Sequence, residues 1–347
     1  MRILIVRLSA MGDIIHSMPA VSALRRHRPD VFIGWAVEER WAPLLTSHSP
    51  QHGPPRREAQ QPLADAVHCV NLKRWKAAPL ASETRQAISA FRTELRAQHY
   101  DAAIDLQGAI RSAVLAKMSG APKLVGEARP REYPARWWFD QKIETRGVHV
   151  IEQAHEVICG FLDQQLPISQ TEFPCDVAAE QWADGLVRDR KPFAILNPGA
   201  GWGAKCWPAE RYGMVAVALK KNGIASFVNV GPGEAHLGAE VVARANGAAE
   251  VVQCSISQLI SLTRRAALFI GGDTGPMHLA SALQIPVVAI FGPTDPKRNG
   301  PFNSPSIVLR HPESKRDHSR RTEPEEGLLT IPVDEVIEAA LKLLAQT

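Results

Sequence analysis

The chain of 347 residues has only five cysteines, and none of them form a Cys-x-x-Cys pair. An odd number of widely spaced cysteines argues against a disulfide framework or a zinc site and fits reduced thiols in a cytosol. No run approaches the ~20 apolar residues that a membrane-spanning helix needs. Arg2 and Arg7 interrupt the short apolar stretch at the start, so we expect no signal peptide. These absences predict a soluble cytoplasmic protein that at most lies on a membrane surface.

Several nucleotide-binding motifs are also missing. There is no Gly-x-x-x-x-Gly-Lys-Ser/Thr element, which disfavours a P-loop kinase. The first turn has no Gly-x-Gly-x-x-Gly, which disfavours a dinucleotide-dependent dehydrogenase. The formal net charge of +4 is small, and no nucleic-acid-binding motif accompanies it, so we expect no nucleic-acid partner.

Strand-like and helix-like runs alternate in two successive series that meet near residues 170–190. Two βαβ series predict an α/β protein with two parallel-sheet domains. Two segments, 46–62 and 311–327, have the composition of exposed loops. The predicted strands are 2–8, 31–37, 66–71, 102–106, 123–126, 193–196, 226–230, 250–252, 267–270 and 287–291. The predicted helices are 11–27, 84–98, 110–118, 152–164, 209–222, 238–245, 257–266, 276–283 and 333–344.

Asp13 stands at the turn between the first predicted strand and the first predicted helix. The first strand of a doubly wound sheet delivers such side chains to the ligand crevice. The helix dipole stabilises a carboxylate there, and an oriented carboxylate can take a proton from a hydroxyl in a transition state. Asp13 is therefore a candidate general base. A helix-capping role explains the same position, and the two roles can hold together.

A second strand–turn–helix element occurs at residues 267–280. Backbone N–H groups near Gly275 and the helix dipole would form an anion site, to which Thr274 and His278 can contribute. Asp273 would repel a phosphate, so we expect it to cap the helix or to bind a sugar hydroxyl. An ordinary turn with Asp and Thr caps remains the alternative interpretation.

Two further turns follow strands of the same series. Gly199 and Ala200 permit close backbone approach, and Lys205 can neutralise a phosphate. Glu234 follows the next strand and can accept hydrogen bonds from ribose hydroxyls, although a helix cap or an exposed charge explains it as well. Because such turns converge on one sheet edge, together they predict a nucleotide diphosphate site.

The first series carries basic and aromatic residues after its strands. The run Lys73-Arg74-Trp75-Lys76 could bind phosphates or sugar carboxylates, with Trp75 against a sugar ring, or it could be a solvated charge run. Gln107 and Arg111 follow the fourth strand and add polar groups. The run at 129–138 is a second basic-aromatic stretch, which fits either an anionic headgroup or a packed loop.

These motifs resemble those of the family nine glycosyltransferases, the ADP-heptose:lipopolysaccharide heptosyltransferases, over most of the chain. The run Lys73–Lys76 looks like the patch of the family members that act first in the pathway and use Kdo-lipid A. The resemblance rests on Ser9-Ala10-Met11-Gly12-Asp13 with Pro19-Ala20, Gly272-Asp273-Thr274-Gly275 with His278-Leu279-Ala280, Gly292-Pro293-Thr294-Asp295-Pro296, and Lys205 with Trp207-Pro208.

The resemblance implies an α/β GT-B fold, with two Rossmann-like parallel-sheet domains facing across a cleft. Residues 1–178 would bind the acceptor and residues 179–330 the nucleotide sugar, while the helix in 331–347 would cross back to the first domain. The implied reaction is an inverting transfer of heptose from ADP-heptose to the Kdo/inner-core region of lipopolysaccharide, at the cytoplasmic face of the inner membrane.

In that reading, no cofactor takes part. There is no Asp-x-Asp element in a plausible metal position, and a cation with a helix dipole can replace a metal, so we expect metal-independent catalysis. The catalytic residues would be Asp13 and Lys205. The donor-binding residues would be Gly199, Ala200, Lys205, Glu234, Asp273, Thr274, Gly275 and His278, and the acceptor-binding residues Ser9, Met11, Gly12, Lys73, Arg74, Trp75, Lys76, Gln107 and Arg111.

Two other functions fit the same residues. A GT-B-type sugar-nucleotide epimerase or hydrolase would use the donor domain without a lipid acceptor. A non-catalytic lipopolysaccharide-binding protein would bind the acceptor and leave ADP-heptose intact.

Overall fold

The computed structural model describes residues 1–47, 58–190, 192–317 and 321–346. The chain divides into two compact units, Met1–Cys175 and Asp176–Thr347, and each has its own six-stranded sheet. Residues 48–57 of the first predicted loop and residues 318–320 of the second lie outside the described residues.

The first unit is built on six parallel strands in the order β3-β2-β1-β4-β5-β6. This is the strand order of the dinucleotide-binding fold, in which ligands bind beyond the carboxyl ends of the strands where the order reverses, here between β1 and β4. The strands are β1 (Arg2–Val6), β2 (Phe32–Glu38), β3 (Ala66–Val70), β4 (Ala102–Asp105), β5 (Lys123–Glu127) and β6 (Gln141–Ile143). The helices are α1 (Met11–His27), α2 (Leu72–Ala77), α3 (Ser82–Ala97), α4 (Ile110–Met118) and α5 (Val150–Leu162), with 3₁₀ turns at Glu39–Leu44 and Tyr133–Trp138.

The second unit repeats the same topology, with the order β12-β11-β10-β7-β8-β9, again all parallel. Its order reverses between β7 and β10. The strands are β7 (Phe193–Asn197), β8 (Ala225–Asn229), β9 (Ala249–Val252), β10 (Leu268–Gly272), β11 (Val287–Phe291) and β12 (Ser306–Arg310). The helices are α6 (Val177–Val187), α7 (Ala209–Lys221), α8 (Ala235–Arg244), α9 (Ile256–Thr263), α10 (Gly275–Ala282), α11 (Pro296–Asn299), α12 (Glu326–Thr330) and α13 (Val333–Leu344), with a 3₁₀ turn at Gly203–Lys205.

The central strands of both sheets are short aliphatic runs. Strands β7, β10 and β11 are buried at every residue, as expected for parallel strands that helices cover on both faces. Helix α13 is amphipathic, and its apolar face packs on α7 and on strands β10 to β12 of the same unit. The predicted return of this helix to the first domain stays a prediction.

The predicted strands and helices lie within three residues of the observed ones. The sequence patterns did not predict β6 and β12, which are edge strands, the short helices α2, α11 and α12, or the 11-residue helix α6. Among the described residues, no helix combines the length and the apolar character needed to span a bilayer.

Candidate functional site

Four turns lie at the carboxyl edge of the second sheet, and three of them carry the predicted donor residues. They follow β7, β8, β10 and β11, so the parallel topology places all four at one edge. Gly199, Ala200 and Lys205 follow β7, Glu234 follows β8, and Asp273 to His278 follow β10.

Asp273 is the centre of a buried charge cluster in the second unit. Its Oδ2 lies 2.5 Å from Lys205 Nζ, and its Oδ1 lies 3.0 Å from His278 Nε2. Burial acts to raise the pKa of this carboxyl, but the hydrogen bonds and charges of His278 and Lys205 outweigh it and hold the pKa well below its usual range. Asp273 is therefore an anion that fixes a lysine and a histidine beside each other. The sequence analysis expected a cap or a sugar contact and did not foresee this ion pair, although a buried carboxylate needs such partners.

Helix α10 begins two residues after Asp273 and carries His278 of this cluster. Thr274 is its N-terminal flanking residue in extended conformation, and its hydroxyl donates to the Gly272 carbonyl at 3.3 Å, so it does not cap the helix. Pro276 occupies the first turn, where its missing N–H leaves no bond unmade. The first-turn N–H groups and the positive end of the dipole thus lie beside Lys205 and His278, and this combination suits an anionic ligand.

Glu234 lies between two glycines. Its Oε2 accepts a hydrogen bond from Gly231 N–H at 2.8 Å. A Cβ on Gly199 would come within 2.2 Å of the same oxygen, so only glycine leaves room for the carboxylate there. The carboxylate does not cap α8, which it precedes.

A chain of buried polar groups links three strands at this edge. Asn197 Nδ2 donates to the Gly199 carbonyl at 2.9 Å and thereby shapes the turn, while Asn229 Nδ2 donates to Asn197 Oδ1 at 2.6 Å. Cys254 Sγ then donates to Asn229 Oδ1 at 3.6 Å. The sequence analysis missed these residues, yet both asparagines end apolar strands and that position was a readable signal.

Thr294 adds a buried hydroxyl in the turn after β11. Its Oγ1 has no hydrogen-bond partner among the described residues, although the residue is only 3% exposed. Buried hydroxyls without partners are rare in proteins, so this group suits a hydrogen bond to a ligand. In the sequence, Thr294 drew attention only as part of the run 292–296 that resembles the family, and no role was predicted for it.

The charged segment after β12 borders the same turns. Ala204 N–H donates to the Arg321 carbonyl at 3.2 Å, and the Ala204 carbonyl accepts from Glu325 N–H at 3.2 Å. Asp317 N–H donates to the Pro293 carbonyl at 3.1 Å. The prediction of an exposed loop at 311–327 is confirmed for most of its described residues. The exceptions are Ser314 and Gly327, which are buried, and the start of α12, which Glu325 caps.

Asp13 lies in the first turn of α1 in the first unit. Its Oδ2 accepts from Ala10 N–H at 3.1 Å, so the capping role is observed. Its Oδ1 lies 3.1 Å from Arg7 Nη2, and the side chain of Asp13 remains 40% exposed. Arg7 also donates to the Leu106 carbonyl. Asp13 is thus a held but accessible carboxylate, and sequence reasoning missed its arginine partner because the pairing depends on how the end of β1 turns.

The turn after β4 lies beside the start of α1. Gln107 Oε1 accepts from Leu8 N–H at 2.8 Å, while Gln107 Nε2 is buried without a hydrogen-bond partner among the described residues. Arg111 Nη2 donates to Ser9 Oγ at 3.4 Å. Met11 and Gly12 are buried in the first turn of α1. These contacts bring five of the predicted acceptor residues to one edge of the first sheet.

Asp105 lies fully buried beneath this turn. It accepts from Gln107 N–H at 2.7 Å, Gly108 N–H at 3.0 Å and Ser112 Oγ at 2.8 Å. Burial raises the pKa of Asp105 to about 6, against the opposing effect of these hydrogen bonds and of the nearby Arg7 charge. The carboxylate shapes the backbone that presents Gln107.

The basic-aromatic run Lys73–Lys76 forms most of helix α2, after β3. Lys73 and Lys76 are exposed, whereas Arg74 pairs with Glu83 at 2.9 Å. Trp75 packs edge-to-face on Phe91 at 5.8 Å between centroids, against the core of the unit. The indole therefore serves packing, and the cations are the accessible part of this run.

No three His, Cys, Asp or Glu side chains within the described ranges are arranged to hold a metal ion. Independence from metal stays a prediction. The second unit therefore carries a lysine and a histidine beside a helix N-terminus. The first unit carries a held carboxylate with polar neighbours.

Comparison with known proteins gives a consistent result. The chain is 27% identical over 316 residues to "Lipopolysaccharide heptosyltransferase 1" of Escherichia coli K12, covering 90% of this chain and 94% of that protein. It is 27% identical over 322 residues to the protein of the same name from Pseudomonas aeruginosa, covering 89% and 83%. The solved structure of E. coli heptosyltransferase WaaC with ADP-2-deoxy-2-fluoro heptose superimposes with a TM-score of 0.76 at 26% identity, covering 97% of this chain and 98% of WaaC.

The predicted GT-B fold class, with two Rossmann-like parallel sheets, is confirmed by the observed topology and by this structural match. The family model of glycosyltransferase family 9 (heptosyltransferase) matches residues 88–329, which is more than half of the chain. The chain belongs to glycosyltransferase family 9, the heptosyltransferases.

Proposed function

We propose that this chain transfers heptose from ADP-heptose to a hydroxyl of the Kdo/inner-core region of lipopolysaccharide, with inversion at the anomeric carbon. The names of the relatives support the acceptor class, and the ADP-heptose analogue in the WaaC structure supports the donor. The observation that carries the proposal is the Lys205–Asp273–His278 cluster at the start of α10.

This cluster suits the leaving diphosphate. As the bond between the anomeric carbon and the phosphate oxygen breaks, negative charge develops on the departing ADP. Lys205, His278 and the N–H groups at Gly275 can stabilise that charge, and Thr274 can donate its hydroxyl. Donors fixed in advance need no reorganisation during the reaction, which makes them effective. Asp273 supplies that fixation. Glu234 would bind the ribose hydroxyls.

Asp13 is the proposed general base. It would accept the proton of the acceptor hydroxyl as the hydroxyl oxygen bonds to the anomeric carbon from the face opposite to ADP. Arg7 holds one carboxylate oxygen and the Ala10 N–H the other, which fixes the orientation of the base. Ser9, Gln107 and Arg111 would contact the acceptor around it.

The cations of α2 suit the carboxylates and phosphates of an inner-core acceptor. Lys73 and Lys76 are exposed, and Arg74 is held by a surface ion pair that a stronger anion can replace. An acceptor of this kind lies in a bilayer, so we place the enzyme in peripheral contact with the cytoplasmic face of the inner membrane.

The test is transfer by an Asp13→Ala variant with ADP-heptose and a panel of truncated core acceptors. We expect kcat to fall at least ~10²-fold, the low end of general-base effects, while the Kd of ADP remains unchanged. Asp30→Asn is the matched control, since Asp30 is exposed and pairs with Arg28 at the other end of α1. Near-normal turnover would remove Asp13 from this role.

The products separate the alternatives. The proposal is supported if heptose is transferred to Kdo-lipid A and its anomeric configuration in the product is opposite to that in ADP-heptose. Release of free heptose without acceptor would instead indicate a hydrolase, and acceptor binding without consumption of ADP-heptose would indicate a binding protein. Because we propose that catalysis needs no metal, heptose transfer should proceed at the same rate with and without a metal chelator.

A further inference from the structure

Four large apolar side chains are exposed on α4 and on the 3₁₀ turn that packs on it. Trp137 is 74% exposed and Tyr133 is 55% exposed, and both belong to the 3₁₀ turn Tyr133–Trp138 that packs on α4. Ile110 and Val114 of α4 are also exposed, one helical turn apart on one face. We call these four residues, together with the cations Arg111, Lys117, Arg131 and Arg136, the α4 face. An exposed cluster of this kind marks an interaction surface.

The charge of the α4 face is mainly positive. Arg111 and Lys117 are exposed on α4, and Arg131 and Arg136 flank Tyr133 in the neighbouring segment. The carboxylate in this segment, Glu132, accepts a hydrogen bond from Ile110 N–H at 2.9 Å. The face therefore offers aromatic and aliphatic groups surrounded by cations.

A groove of about 590 Å³ continues the α4 face between α3 and α4. Its cations are Arg92, Arg96 and Lys117, and its lining residues include no carboxylate. Its apolar wall includes Val114, Met118 and Trp138. An anionic headgroup with the first part of its chains matches this lining in charge and in polarity.

We propose that the α4 face docks the first unit on an anionic phospholipid bilayer, with a phosphate headgroup in the groove. Trp and Tyr prefer the headgroup level of a bilayer, where their amphipathic rings lie. Cations near an anionic leaflet add electrostatic attraction that salt screens.

The position of the face relative to Asp13 strengthens this inference. Arg111, in the first turn of α4, donates to Ser9 in the turn that precedes Asp13. A bilayer on the α4 face would therefore lie next to the turn that carries the proposed base. The inference rests on the proposed function, because an acceptor that is itself a lipid gives the protein a reason to dock on a bilayer.

The first experiment measures binding of the full chain to phosphatidylglycerol and to phosphatidylcholine vesicles by cosedimentation. We expect binding to phosphatidylglycerol vesicles that weakens as salt is raised, and little binding to phosphatidylcholine. Inorganic phosphate at matched ionic strength should not displace the protein, since the bilayer and not the free ion is the partner. No binding to phosphatidylglycerol, or displacement by phosphate, would overturn the proposal.

Variants then locate the surface. The double variants Tyr133→Ala/Trp137→Ala and Arg92→Glu/Lys117→Glu should each bind phosphatidylglycerol vesicles at least ~10-fold more weakly. Leu80→Ala and Lys221→Glu are the controls, since Leu80 is 87% exposed and Lys221 is exposed on α7. Unchanged thermal unfolding would show that the variants fold. Equal binding by the double variants and the controls would place the surface elsewhere and refute the proposal.

Transfer assays distinguish this proposal from the proposed function. The same double variants should lose transfer to acceptor embedded in vesicles and retain it with a water-soluble, deacylated acceptor. If the wild type transfers no heptose at all but binds vesicles through these residues, the docking surface stands and the proposed function fails. If the wild type transfers heptose but the double variants bind vesicles as well as the wild type does, the proposed function stands and the docking surface fails.

Discussion

The substitution Asp273→Asn tests the charge cluster of the second unit. It keeps the shape of the side chain and removes its charge, which leaves Lys205 Nζ without its counterion in a side chain only 11% exposed. Removing one partner of a buried ion pair costs about 3–5 kcal/mol. For a unit of this size that cost corresponds to a decrease of roughly 6–20 °C in Tm.

The matched control is Glu250→Gln, which breaks an ion pair with Arg190 in the same unit. Both partners of that pair are about half exposed, at 53% and 45%. Exposed pairs contribute between zero and about 1 kcal/mol, so we expect little change. Urea unfolding of wild type and both variants measures the difference.

The pH dependence of the Asp273 effect has a definite sign. The pKa of folded Asp273 lies below the ordinary value of 3.8, so its ion pairs add stability above that value and lose it as the pH falls through the folded pKa. The difference between wild type and Asp273→Asn should be constant near neutral pH and should shrink only in strong acid. If Asp273→Asn lowered the free energy of unfolding as little as Glu250→Gln does, the reasoning would be refuted.

Two further predictions follow from single contacts. In Gly199→Ala the new Cβ would displace Glu234, so we expect the Kd of ADP to rise roughly tenfold, as for a lost hydrogen bond to a charged group. Gly201→Ala is the control, because nothing lies within 4 Å of its new Cβ. Calorimetric titration with ADP should give an unchanged Kd for this control. Asp105 has its pKa raised to about 6, so as the pH rises from 4 to 7 its ionisation should lower the free energy of unfolding by about 2 kcal/mol relative to Asp105→Asn. Parallel pH profiles in urea for these two proteins would contradict that prediction.

The sequence predicted the fold well because its strongest signals are periodic. Aliphatic runs such as Phe193–Asn197 between helical patterns leave little choice but a parallel sheet. Strand β6 has only three residues, none of them buried, and so carried no such signal. Strand β12 is an edge strand between a proline and a charged segment, and its pattern was masked by those neighbours.

The site was harder to predict than the fold, because its contacts join residues far apart in the chain. Glycine-bearing turns identified the edges where Asp13, Lys205 and His278 lie. That Asp273 pairs with Lys205 depends on two side chains 68 positions apart, which no local pattern specifies. Trp75 shows the same limit: no local pattern specifies its edge-to-face contact with Phe91, and its predicted place against a sugar ring stays a prediction.

The hydrogen bond from Cys254 to Asn229 has a consequence for how this chain meets oxidants. Burial raises the pKa of the Cys254 thiol to about 12, and it raises that of Cys69 to about 11. Since peroxides and alkylating electrophiles react with thiolates, we expect both sulfurs to react slowly at neutral pH. The asparagine chain that shapes the turn at Gly199 therefore ends on a thiol that stays protonated at neutral pH.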